Sequence, residues 1–153
     1  MEEIHEKAKQ QRLHLFASDL LETVNKILNL PEPSKDEIDG VIRTINNCTE
    51  LEGGKEQEQE KGKGFGLHWR PSDLFTTDLI ITPMEENALH VSVDRVVLDQ
   101  KKQPRINFSK EIGEVTSVEM GDGVITFKGK KPDEFISVNE FGQVQTKEGG
   151  DYR

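Results

Sequence analysis

Apolar residues in the first third of the chain recur every three or four positions, which is the period of one face of an α-helix. This helical stripe consists of Leu13, Phe16, Leu20, Val24 and Ile27. It predicts a first helix over residues 3–29, because Pro31 and Pro33 follow and proline cannot continue a helix. The chain therefore begins with a long helix that has one apolar face.

A second, shorter helix is predicted over residues 35–47. Ser34 and Glu37 have the spacing of a capping box, in which each side chain bonds the backbone N–H of the other residue. Because the turn between the helices is short, the two helices are predicted to be antiparallel neighbours. Residues 1–51 are therefore predicted to form a helical hairpin.

The segment over residues 52–64 contains only Glu, Gly, Lys and Gln. Such a sequence cannot bury enough apolar area to order itself. It predicts a low-complexity linker between the helical hairpin and the rest of the chain.

The second half of the chain alternates apolar and polar residues, which is the period of a half-buried β-strand. The predicted strands cover residues 66–70, 74–82, 88–98, 105–109, 114–120, 123–128, 134–138 and 143–146. Asp122-Gly123 is the clearest hairpin turn, since this dipeptide suits positive φ angles. The pattern predicts a mostly antiparallel β-domain over residues 65–147, a barrel, roll or sandwich of about seven or eight short strands. A disordered tail is predicted over residues 148–153, and the fold class is α+β.

The charge balance excludes several classes of protein. The chain has 153 residues, with 20 Lys and Arg against 29 Asp and Glu, so its formal net charge is −9. This balance argues against nucleic-acid binding, because that affinity depends on neutralising phosphates.

The longest apolar runs have three residues, whereas a membrane-spanning helix needs about 20. The acidic N terminus predicts no secretory leader, and the single Cys48 suits a reducing compartment, so we expect a cytoplasmic location.

No arrangement of residues predicts catalysis, a metal or a cofactor. His90, Ser92 and Asp94 are the residue types of a catalytic triad, but on one strand face the serine lies between the other two. A triad needs the histidine in the middle, because the imidazole bridges nucleophile and acid. The four histidines are scattered along the chain, and Cys48 has no second cysteine with which to ligate zinc. We therefore predict that the protein is not an enzyme.

The helical stripe is the first candidate for partner binding, because a two-helix hairpin cannot bury its apolar face alone. The stripe either packs on the β-domain or pairs with another protein or a second copy of the chain. Trp69 and Arg70 are the second candidate, since these residue types are typical of interface hot spots, although Trp69 also suits a core position.

These features predict a non-catalytic intracellular protein-interaction module that associates through the face of the helical hairpin. An adaptor, an inhibitor or immunity-type protein, or an assembly component would fit this description. The acidic surface would steer a basic partner.

Two basic clusters support a different hypothesis, a β-domain that binds a small molecule or a phosphate-containing ligand. One cluster contains Lys101, Lys102 and Arg105, and the other contains Lys128 and Lys130. Acidic neighbours dilute both clusters, and a solvated turn is the simpler interpretation of each. An enzyme ranks last of the three hypotheses.

Overall fold

The two predicted helices are present in the computed structural model of the chain. Helix α1 spans Glu2–Ile27 and helix α2 spans Lys35–Ile45, so each ends two residues before its predicted end. The structure describes residues 2–52, 64–73, 75–84, 88–121, 123–147 and 149–150. The predicted linker, apart from its first and last residues, lies outside this range, as do residue 122 and most of the predicted tail.

Local hydrogen bonds fix where the helices end and begin. At the end of α1, Leu30 N–H donates to the Asn25 carbonyl (2.7 Å), and Asn29 has a left-handed φ of 59°. This is a Schellman motif, which ends α1 before the first proline is reached. At the start of α2, Glu37 N–H donates to Ser34 Oγ (3.2 Å) and Ser34 N–H donates to Glu37 Oε1 (3.4 Å). The predicted capping box is therefore confirmed.

The described strands form two antiparallel sheets of five, in which neighbours along the chain are also neighbours in the sheet. Sheet I contains β1 (Glu50–Glu52), β2 (Phe65–Ser72), β3 (Phe75–Met84), β4 (Ala88–Leu98) and β5 (Pro104–Ile112). Sheet II contains β6 (Ser117–Gly121), β7 (Val124–Lys128), β8 (Phe135–Asn139), β9 (Val144–Thr146) and β10 (Gly149–Gly150). The α+β class is confirmed, and the strands that the structure describes do not close into a barrel.

All eight predicted strands are present as β2 to β9, and the structure adds the short strands β1 and β10. Strand β1 pairs with β2, so sheet I begins within the segment that was predicted to belong to the helical hairpin. Gly121 pairs with Val124 across the predicted hairpin turn, where Gly123 has a φ of 76°. A positive φ favours glycine at this turn position.

One hydrophobic core joins the helices to both sheets. The ring of Phe16 on α1 meets the ring of Phe65 on β2 edge to face, with centroids 5.5 Å apart and an interplanar angle of 89°. Aromatic rings prefer this arrangement because the positive edge of one ring meets the negative face of the other. Of the two alternatives for the helical stripe, packing on the β-sheets is the one that the structure shows.

Candidate functional site

The residues that were expected to bind a partner are mostly inaccessible. Four residues of the helical stripe are less than 10% exposed: Leu13 (4%), Phe16 (7%), Leu20 (1%) and Val24 (1%). Ile27 is half-buried, and Trp69 is a core residue with 1% exposure. This burial corrects the expected mechanism, association through the stripe, because the sheets already cover that face. Arg70 alone among the predicted partner-binding residues is exposed.

The outer face of sheet I carries polar pairs rather than a catalytic triad. His90, Ser92 and Asp94 lie on this face. His90 and Asp94 each contact a residue of the neighbouring strand β5 rather than Ser92 or each other. His90 Nε2 lies 3.4 Å from Glu111 Oε2, and Ser109 Oγ donates to Asp94 Oδ1 (2.6 Å). Across the described residues, no group of three or more His, Cys, Asp or Glu side chains is arranged to hold a metal ion.

His68 and Asp78 form a close pair that the sequence did not indicate. His68 Nδ1 lies 2.9 Å from Asp78 Oδ1 on the neighbouring strand. Ten positions separate the two residues along the chain, so only the strand register brings them together. Burial raises the pKa of the Cys48 thiol. The thiolate, which is the reactive form of a cysteine, is therefore disfavoured at this position.

The outer face of sheet I changes from polar to apolar at one register position. Asp94 on β4 pairs with Ser109 on β5, and the next outward pair is Val96 with Ile106, followed by Leu98 with Pro104. Asn107 of β5 has no register partner on β4, and this β-bulge keeps both apolar pairs on the outer side of the sheet. We call the outward surface of Val96, Leu98, Pro104 and Ile106 the hairpin face.

The hairpin face is open to solvent. Ile106 is 65% exposed, the highest value among the large exposed hydrophobic side chains of the described chain, and Leu98 is 45% exposed. Exposed apolar side chains that adjoin one another mark interaction surfaces, whereas single ones are ordinary. A sequence signal was present: the run Val96-Val97-Leu98 breaks the alternation that holds over residues 88–94.

Opposite charges lie on the two sides of the hairpin face. Asp78 on β3 and Asp94 on β4 are register partners, and they lie next to the hairpin face on the side away from the turn. Like charges that face each other on neighbouring strands destabilise a sheet. Lys101 and Lys102 are exposed in the turn that follows it. The surface is therefore acidic, apolar and basic in that order along the hairpin.

One carboxylate holds the basic turn in shape. Asp99 Oδ1 accepts from Lys101 N–H (2.8 Å) and Gln103 N–H (2.9 Å), and Asp99 Oδ2 accepts from Arg105 Nε (2.8 Å). Arg105 of the predicted ligand cluster is therefore held toward Asp99, whereas the ammonium groups of Lys101 and Lys102 contact no carboxylate among the described residues.

The hydrogen bonds of Gln103 and Arg105 lower the pKa of Asp99 below its usual value of 3.8. A depressed folded-state pKa contributes stability that is complete above the unfolded value and is lost as pH falls through the folded value. We expect the amide resonances of Lys101 and Gln103 to titrate with a midpoint below 3.8. Asp99→Asn should abolish this titration. A midpoint at or above the usual value would mean that the turn does not favour the ionised carboxylate.

The second predicted ligand cluster lies at a groove on the outer face of sheet II. The groove has a volume of about 600 Å³, and its lining includes Lys128, Lys130 and Lys131 together with the hydroxyl-bearing Ser117, Thr126 and Ser137. We call it the lysine groove. Both residues that the sequence placed in this cluster, Lys128 and Lys130, therefore line one concave surface.

Comparisons with protein-family models, with curated proteins and with solved structures found no match to this chain. Among the described residues, no helix is both long and apolar enough to cross a membrane.

Proposed function

We propose that the protein is a non-catalytic protein-interaction module that associates with a second copy of itself through the hairpin face. The observation that carries this proposal is the in-register change from polar to apolar pairs on β4 and β5, which leaves Leu98 and Ile106 exposed. A strand with one solvated face normally keeps that face polar along its whole length. An apolar end is therefore a feature that needs a covering surface.

Charge order favours a second copy as the occupant. Asp94 lies three residues before Val97 on the extended strand, about 10 Å from the apolar centre. Lys101 and Lys102 lie beyond Leu98 in the turn that follows, so acidic and basic groups flank the apolar centre on opposite sides. A two-fold axis through the apolar centre brings the turn that carries Lys101 and Lys102 in one copy against the acidic pair Asp78 and Asp94 of the other copy. Such a surface is self-complementary, as a symmetric dimer requires.

The hairpin face is small, which sets the expected strength of the association. Stable interfaces bury about 800 Å² on each partner, and four side chains supply only part of that area. We expect a dissociation constant in the micromolar range, suited to an assembly component that exchanges partners.

Charge exchange tests the two-fold arrangement. Lys101→Glu with Lys102→Glu in one variant, or Asp94→Lys in another, places like charges against each other in a dimer. Each variant alone should associate at least about tenfold more weakly than wild type at low salt. An equimolar mixture should recover the association, because unlike charges then meet at both contacts of the heterodimer. Sedimentation velocity measures wild type, each variant and the mixture.

Two outcomes would contradict the proposal. A mixture that associates no better than its components would exclude this two-fold pairing. A wild-type chain that stays monomeric at millimolar concentration would exclude a second copy as the occupant of the hairpin face. The acidic pair Asp78 and Asp94 would then point to a basic partner protein. Thermal melts of both variants serve as the folding control.

A further inference from the structure

The lysine groove carries an inference that is independent of the proposed function, because it lies on sheet II and the hairpin face lies on sheet I. We infer that the groove binds the phosphate monoester group of a small organic ligand. Its volume of about 600 Å³ is within the range of small-molecule sites, about 300–1,000 Å³.

Strand register explains why a groove forms here. Ser117, Lys128 and Phe135 face outward in one row across β6, β7 and β8. The next row contains Glu119, Thr126 and Ser137, of which the last two are short and are hydrogen-bonded to each other through their hydroxyls (2.8 Å). Short side chains at the centre of the sheet and a folded loop over residues 129–134 at its side leave a concave surface.

Six of the ten residues that line the groove carry an ammonium or a hydroxyl group. Three lysines face one acidic residue, Glu134, whose carboxylate already accepts a hydrogen bond from Lys130 N–H (3.0 Å). Three further acidic residues, Glu114, Glu119 and Asp133, lie beside the lysines but do not line the groove. Ser117 Oγ has no hydrogen-bond partner within the described part of the chain, so its hydroxyl is available to a ligand oxygen.

Existing ion pairs do not block the lysines. Lys128 Nζ lies 2.9 Å from Glu119 and Lys130 Nζ lies 3.0 Å from Glu114, and both pairs are largely exposed. Exposed ion pairs contribute little because water screens them, so a dianion can compete for the same ammonium groups. Lys131 has no carboxylate within ion-pair distance among the described residues, although it lies near Asp133, whose pKa is lowered first by Lys147 and then by Lys131.

A phosphate monoester fits this donor set better than a carboxylate. It carries a charge of about −1.5 to −2 at neutral pH and three acceptor oxygens, which match several ammonium and hydroxyl donors at once. Phe135 is half-buried beside Lys128 in the same row and offers an apolar surface to the organic part of the ligand. The inferred class is therefore a phosphate monoester that carries a ring or another apolar group.

The test is an NMR titration of the whole chain with phenyl phosphate. Saturable shifts should appear in the amides of residues 126–137, and Lys130→Gln with Lys131→Gln should weaken binding at least about tenfold, since two charged hydrogen-bond donors are lost. Lys7→Gln with Lys9→Gln is the matched control, because it removes the same charge from exposed positions on α1, outside both the lysine groove and the hairpin face. The control should leave the affinity within about twofold.

Further probes separate the contributions and the source of the phosphate. Phe135→Leu should lower the affinity for phenyl phosphate and leave that for inorganic phosphate unchanged, while phenol alone should not bind. Vesicles that contain phosphatidic acid present the same group on a lipid: binding to phenyl phosphate alone assigns a soluble ligand, and binding to vesicles as well assigns a headgroup. Equal weakening by both lysine pairs, or no saturable binding to any phosphate probe, would overturn the inference.

Discussion

Leu20→Ala should lower the free energy of unfolding by about 2–5 kcal/mol, the range for truncating a buried leucine. Leu20 is 1% exposed in the core that α1 shares with the sheets, so the truncation leaves a cavity that its neighbours fill only in part. Leu15, which is 58% exposed on the same helix, is the matched control. Leu15→Ala should change the free energy of unfolding by less than about 0.5 kcal/mol. Urea unfolding monitored through the fluorescence of buried Trp69 measures both variants.

The difference between the two variants tests whether the helical stripe belongs to the core. Equal and small effects would mean that α1 does not pack on the sheets in solution, and the stripe would again be available to a partner. An aspartate at Leu20 or Val24 is a poor probe of association, because a buried unpaired charge would unfold the chain before any interface could be measured.

The helices could be predicted closely because their signals are local. The Ser34–Glu37 capping box lies at the start of α2, and the prolines follow within a few residues of the Schellman motif that ends α1. The helical stripe showed that one face of α1 is apolar, and its period could not show what covers that face. The partner turned out to be the ring of Phe65 and its neighbours, which lie about 50 residues further along the chain.

Strand positions could also be predicted, whereas their grouping into two sheets could not. The alternation marked each strand, but nothing in the local pattern over residues 113–116 distinguishes a passage between sheets from an ordinary turn. Long-range contacts decide the arrangement. Thr77 Oγ1, for example, donates to the Gly142 carbonyl (2.7 Å) across 65 positions of the chain. Contacts at such separation leave no periodic trace in a single sequence.

The candidate surfaces illustrate the same limit. Lys128 and Lys130 could be identified as a cluster because they are close in sequence, but two of the three hydroxyl groups beside them, those of Ser117 and Ser137, come from other strands. The run Val96-Val97-Leu98 was visible as a strand segment. Only the register with β5 shows that Ile106 lies beside it and that no described element covers the pair.

The hairpin face gives the second large expected effect, which concerns association rather than folding. Leu98→Thr with Ile106→Thr removes apolar side chains and keeps residues that suit a strand. In a two-fold interface each substitution acts twice, so we expect self-association to weaken at least about 100-fold, which corresponds to about 2.8 kcal/mol. The melting temperature should change little, because both positions are largely exposed in the free chain.

Met84→Thr is the control for this experiment, since Met84 is 50% exposed at the other end of sheet I. Light scattering with size-exclusion chromatography over a range of concentrations should show wild type and Met84→Thr shifting from monomer towards dimer, with the double variant remaining monomeric. If the double variant still forms dimers, copies of the chain meet through another surface. If Met84→Thr weakens association as strongly, the loss reflects general surface hydrophobicity, and the register argument for the hairpin face fails.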